Sequence, residues 1–169
     1  MNPASHRQCD MEITEISDLL VDHRFFQPLP GELRERLARC SELVTFGTGE
    51  NLLTEGAQAN SFFAIRSGRV AVGVHTPNRG LAVIETLHPG DIVGWSWLFP
   101  PYRWHFDAVA LEPVKAVELH AECIRSYLDA DPRAGYELVR GIAGVMQERI
   151  ESARLRLIDL YGDSFESRR

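Results

Sequence analysis

The stretch Gly90-Asp91-Ile92-Val93-Gly94-Trp95-Ser96-Trp97-Leu98-Phe99, continuing through Tyr102-Arg103-Trp104-His105-Phe106, decides how this chain reads. Its two glycines bracket a short apolar run, as expected where tight turns flank a strand and the backbone must take positive φ. All three tryptophans of the chain then fall between positions 95 and 104. Such a density of rings points either to a packed plug or to a stacking surface for something flat.

Outward from this stretch the pattern is β. Between Glu42 and Leu119 the apolar residues come in short runs, Phe62 to Ile65, Val70 to Val74 and Leu81 to Leu87 among them. Glycine-bearing turns separate the runs at Gly47-Thr48-Gly49, Glu55-Gly56, Ser67-Gly68, Pro77-Asn78-Arg79-Gly80 and His88-Pro89-Gly90. Roughly eight strands at a spacing of about ten residues, without βαβ alternation, predict a closed or two-sheet β structure.

Both flanks read as helix. Ile13, Ile16, Leu19 and Leu20 share one face of a short helix, and Pro30 suits the first turn of a second, Gly31 to Cys40. Ala121 to Ala130 forms another, ended near Asp131-Pro132. From Arg133 to about Tyr161 a helical pattern runs unbroken, with Val139, Ile142, Met146, Ile150, Ala153, Leu157 and Leu160 in one stripe. A helix of that length, about 40 Å, outreaches a compact roll, so its stripe is expected to meet a second copy of itself in a homodimer. Glu148, Arg149, Glu151, Arg154 and Arg156 are expected to be charges flanking that stripe, and Gly162 to stop the helix.

The expected organisation is a flexible arm over 1–12, a β-roll with flanking helices over 13–131, a long dimerisation helix over 132–162 and a polar tail over 163–169. The fold class is mainly β, a jelly-roll with a long C-terminal helix. At 169 residues and 44% hydrophobic content the chain suits a single core.

A net charge of −6 argues against a broad electrostatic grip on DNA. Lys115 is the only lysine, so arginine carries nearly all positive charge. Cys9, Cys40 and Cys123 are odd in number and widely spaced, which makes a disulfide framework unexpected and a reducing, cytoplasmic location the simplest expectation. No apolar run approaches the ~18 residues of a membrane span, and Met1 to Asp10 lacks the apolar core of a signal peptide. His75, His88, His105 and His120 are scattered, so no metal is expected. Nucleophile elbow, P-loop and dinucleotide fingerprint are all missing, so catalysis is not expected.

Glu55-Gly56, then Phe62-Phe63-Ala64-Ile65-Arg66-Ser67-Gly68-Arg69-Val70, then Gly90-Asp91-Ile92-Val93-Gly94, with the long helix after them, resemble the cyclic-nucleotide-binding domain of the catabolite-activator-type (CRP/FNR-like) regulators. The resemblance covers roughly residues 15 to 162. It implies a β-roll sensor whose segment after the Gly-Asp-x-x-Gly turn forms a phosphate cassette, with a Glu for the ribose hydroxyl and an Arg-Ser pair for the cyclic phosphate. In this chain the Glu position falls on Trp95 and the Arg-Ser position on Trp104-His105, one residue after Arg103. An indole offers one N–H donor and no charge, so each replacement forfeits a charge-assisted contact of about 1.5–3 kcal/mol.

Trp95, Ser96, Trp97, Tyr102, Arg103, Trp104 and His105 are therefore the candidate ligand-binding residues. Three readings stay open: a pocket plugged by its own rings in a ligand-free dimerising module; a planar small-molecule effector stacked on the rings; and a cyclic nucleotide such as cAMP held with Arg103. The family's helix-turn-helix output is not expected in this polypeptide, which would act as a regulatory module through a separate partner, without direct DNA binding.

Overall fold

The computed structural model describes the backbone of residues 3–76 and 80–166 and the side chains of residues 13–76 and 80–159. Among the described residues, eight strands form two antiparallel four-stranded sheets, the second of the closed or two-sheet arrangements that the turn spacing leaves open. In chain order they are β1 (Ser41–Phe46), β2 (Asn51–Leu53), β3 (Ser61–Ser67), β4 (Val70–Thr76), β5 (Gly80–Leu87), β6 (Ile92–Val93), β7 (Asp107–Ala110) and β8 (Val114–His120). One sheet has the order β1-β8-β3-β6, the other β2-β7-β4-β5. Helices α1 (Pro3–Asp22) and α2 (Gly31–Arg39) precede the sheets, and α3 (Ala121–Ala130) and α4 (Pro132–Glu166) follow them.

β3 is buried from Ser61 to Ile65, because each of its faces has a cover. Phe63 turns toward Phe46 of β1, edge to face with ring centres 5.7 Å apart. Its neighbour Phe62 points the other way, as alternation demands, and stacks between Phe26 of the α1–α2 connection at 6.5 Å and Trp97 at 5.3 Å. The core thus has two layers, one between the sheets and one beneath the helices.

Three expectations need correction. α1 begins at Pro3, within the stretch expected to be an arm. α4 continues through Gly162 to Glu166, so a single glycine, costing about 1 kcal/mol in a helix interior, does not end it. Cys40 and Cys123, separated by 83 positions, are joined in a disulfide with Cα atoms 5.7 Å apart. The pairing of β1 with β8 explains this closeness. Ser41 is opposite Leu119, so the residue before β1 meets the first turn of the helix after β8, and the His120 amide donates to the Cys40 carbonyl at 2.8 Å. A cross-link closing so long a loop stabilises by about 4–5 kcal/mol in the chain-entropy picture. The side chain of Cys9 lies outside the described residues.

α4 uses its inward face at home. Ala134, Leu138 and Ile142 are buried against the rest of the chain, while every described side chain from Ile150 to Asp159 is exposed. Among the described residues, no helix is long and apolar enough to cross a membrane.

Candidate functional site

Gly90 and Gly94 take φ of 93° and 95°, and between them the Asp91 carboxylate accepts the His88 amide at 2.8 Å to close the turn into β6. Gly94 is needed twice over. Its φ is left-handed, and a Cβ there would sit 2.9 Å from Cζ3 of Trp104. The indole of Trp104 lies directly on the backbone that launches the 3-10 turn Trp95–Leu98.

The segment that returns from this turn is pinned by backbone pairing. The Ala59 amide donates to the Tyr102 carbonyl at 2.7 Å, the Trp104 amide to Ala57 at 3.0 Å and the Gly56 amide to Trp104 at 2.9 Å. Extended pairing alternates side chains. Trp104 therefore turns inward, 8% exposed, and Arg103 turns out to donate to the Gly56 carbonyl at 2.6 Å.

These elements line a half-open cavity of about 170 Å³. Leu53, Val72, Ile84 and Val93 form its apolar walls; Gly94, Trp95, Ser96, Trp104, His105 and Phe106 come from the aromatic stretch, and Glu85 and Arg149 from β5 and α4. Of the candidate ligand residues, Trp95, Ser96, Trp104 and His105 line it, whereas Trp97, Tyr102 and Arg103 do not. Trp97 is fully buried, its ring nearly parallel to Phe62 at 11°, so it belongs to the layer under the helices. Tyr102, with a φ of 56°, lies beneath Arg125 of α3, whose guanidinium carbon is 4.9 Å from the ring centre. Ser96 Oγ and His105 Nδ1 share a hydrogen bond of 3.1 Å at the cavity wall.

Glu85 and Arg149 are the site residues that sequence reasoning missed. Arg149 places its guanidinium carbon 4.6 Å from the Trp95 ring centre, pairs with Glu85 at 3.3 Å and donates to the Ile92 carbonyl. Their side chains are only 16% and 21% exposed, so the pair is largely shielded from water. Burial lowers the Arg149 pKa from its ordinary value, while the carboxylates of Glu85, Asp91 and Glu148 act to raise it. Arg149 was expected at the solvated edge of a dimer stripe. It instead continues the inward stripe Leu138, Ile142, Val145, and that spacing was the available signal, together with Glu85 as the one charge in the run Leu81 to Leu87.

Beyond Trp95 and Arg149 lies a second, open groove of about 530 Å³ between β5 and the distal half of α4, lined by Met146, Ile150, Ala153, Arg156 and Leu157. Ile84, Glu85, Trp95, Phe106 and Arg149 border both spaces. The stacked Arg149–Trp95 pair is thus a partition between cavity and helix groove. Of the expected dimer stripe, Val139, Ile150, Ala153 and Leu157 are exposed and Met146 is half-buried. Ile142 is 1% exposed and serves the chain's own core, and the Leu160 side chain lies outside the described residues.

The geometry is matched by known proteins. A "CRP-like cAMP-activated global transcriptional regulator" of Mycobacterium tuberculosis is 23% identical over 145 residues, 86% of this chain. The chain spans 63% of that relative's length. A crystal structure of a putative cyclic nucleotide-binding protein from Geobacter metallireducens superimposes with a TM-score of 0.71 at 26% identity, covering 80% of this chain and 97% of that one. A cyclic nucleotide-binding domain from Methylobacillus flagellatus superimposes at 0.72 with 20% identity, over 89% and 85% of the two chains. The sequence profile of the cyclic nucleotide-binding domain matches residues 43–131, from β1 to the end of α3, and the chain belongs to that family.

Proposed function

We propose that this chain is a sensor and regulatory module whose effector is a small, planar, largely uncharged molecule, and that it works as a homodimer through α4. The observation that carries this reading is the state of charge in the cavity. Its one arginine, Arg149, is already paired with Glu85 and stacked on Trp95, and Arg103 faces away toward Gly56. Among the described residues lining the cavity a cyclic phosphate would find no unpaired arginine or lysine, and burying an unpaired anion is costly. A flat neutral ring finds indole surfaces, with the Ser96–His105 pair for a single polar contact.

At about 170 Å³ the cavity is smaller than the ~300–1,000 Å³ of most small-molecule sites. A larger effector either extends through the mouth of the cavity or displaces Trp95 and Arg149; the proposal is the second. Because that pair also walls the groove of α4, its displacement repositions Ile150 and Ala153 and carries the signal to the dimer face. Regulation without catalysis is consistent with the regulator among the relatives, and transcription is one output such a module serves through a partner.

Calorimetric titration with adenosine, indole, cAMP and cGMP tests the reading. Adenosine or indole is expected to bind at least as tightly as either cyclic nucleotide. Saturable micromolar binding of cAMP or cGMP with no binding of the neutral rings would overturn the proposed effector class. No binding by any of the four favours the plugged, ligand-free alternative.

A further inference from the structure

The disulfide joins two unlike environments. Cys40 caps α2 and is 7% exposed, whereas Cys123 is exposed in the first turn of α3. Cys123 opens onto a polar cleft of about 560 Å³ that includes His120, Arg125 and Ser126. An incoming thiolate therefore reaches the sulfur of Cys123 and not that of Cys40.

The same helix holds the aromatic loop. Arg125, two residues on from Cys123, donates to the Trp97 carbonyl at 3.0 Å and covers the Tyr102 ring at 4.9 Å. One short element thus links an accessible sulfur to both sides of the segment that carries every tryptophan. Nothing in the sensing of a small molecule requires this connection.

We propose that Cys40–Cys123 is a thiol–disulfide exchange site, attacked at Cys123 by a dithiol reductant, whose redox state is relayed by Arg125 to the 95–104 loop. The chemistry is a two-electron exchange. A thiolate of the reductant bonds to Cys123 Sγ, the Cys40–Cys123 bond breaks, and Cys40 leaves as a thiolate and takes up a proton. The second sulfur of the reductant then displaces Cys123, which becomes a thiol, and the reductant closes its own disulfide. Release of the tether at the first turn of α3 changes how firmly Arg125 holds Trp97 and Tyr102. This inference does not depend on whether the cavity takes a ligand.

Full-length protein purified without reductant is titrated with dithiothreitol under native conditions. Peptide mass analysis after alkylation follows Cys40 and Cys123 separately from Cys9, and tryptophan emission is recorded in parallel. Labelling of Cys40 and Cys123 is expected to rise in step with a shift in emission. Arg125→Ala is expected to keep the labelling and lose the shift, and the Cys40→Ser, Cys123→Ser double variant to show the reduced emission and no response. A native pair that resists reduction, a full reduction that leaves emission unchanged, or an Arg125→Ala protein whose emission still shifts overturns the proposal. If the double variant does not fold, the wild-type and Arg125→Ala titrations decide alone.

Discussion

The guanidinium carbon of Arg149 lies 4.6 Å from the centre of the Trp95 ring, joining the middle of α4 to the segment that follows the Gly-Asp-x-x-Gly turn. The two residues are distant in sequence, yet they form one wall shared by the cavity and the helix groove. Arg149 also pairs with Glu85 and donates to the Ile92 carbonyl, so several contacts tie α4 to the cavity wall.

Breaking these contacts should loosen the closed state without unfolding the chain. Arg149→Ala is expected to cost about 2–4 kcal/mol in urea unfolding, because it removes a cation–π contact and a hydrogen bond and leaves the shielded Glu85 carboxylate unpaired. It should also change Trp95 emission and speed the entry of a neutral aromatic probe. An unaltered emission spectrum would show that the stack does not hold Trp95.

The tryptophans should separate by role. Trp97 is fully buried beside Phe62, so Trp97→Ala is expected to cost about 3–5 kcal/mol. Trp95 is only half-buried, and Trp95→Ala should cost clearly less while altering cavity binding. Equal losses in denaturant midpoint for the two variants would contradict this division.

The distal half of α4 exposes Ile150 at 50% and Leu157 at 52% on one stripe. An aspartate on a two-fold seam is buried twice, without partners. Ile150→Asp or Leu157→Asp is therefore expected to weaken dimerisation by about a hundredfold or more, close to 3 kcal/mol. Light scattering across a concentration series reads the effect. A wild type that stays monomeric throughout removes the dimer proposal.

His23 sets a pH dependence. Its side chain is 7% exposed, and Nδ1 accepts the Phe25 amide at 3.3 Å. Burial lowers its pKa from the ordinary 6.5, while hydrogen bonding to the Ile65 backbone, the Asp91 carboxylate and hydrogen bonding to the Asp91 backbone act the other way. The folded chain thus prefers the neutral ring, and the unfolded chain takes up the proton first as pH falls. The stability contribution is full above 6.5 and is lost as pH falls through the folded value. Urea midpoints should decline over that window in wild type and less so in His23→Gln. Matching slopes in the two proteins would exclude His23 as the source.

Spacing along the chain was enough to read the approximate number of strands, the runs that became β3, β4 and β5, the turn glycines and the long final helix. Each follows from local periodicity and from the left-handed backbone that glycine tolerates. The concentration of indoles at a place where the resembling family presents charge was equally visible. Which of those indoles faces the cavity was not. Trp97 and Trp104 belong to one aromatic run, but the 3-10 turn sends the first under the helices, and pairing with residues 56–59 sends the second inward.

Contacts between distant segments were beyond the reach of sequence spacing. Cys40 and Cys123 meet because β1 pairs with β8, and Arg149 meets Glu85 because α4 folds back along β5. Pattern in a linear chain specifies which residues share a face, since that depends only on the repeat of a helix or strand. What that face touches depends on how the elements dock, and docking here turned a charge expected in solvent into part of a cavity wall.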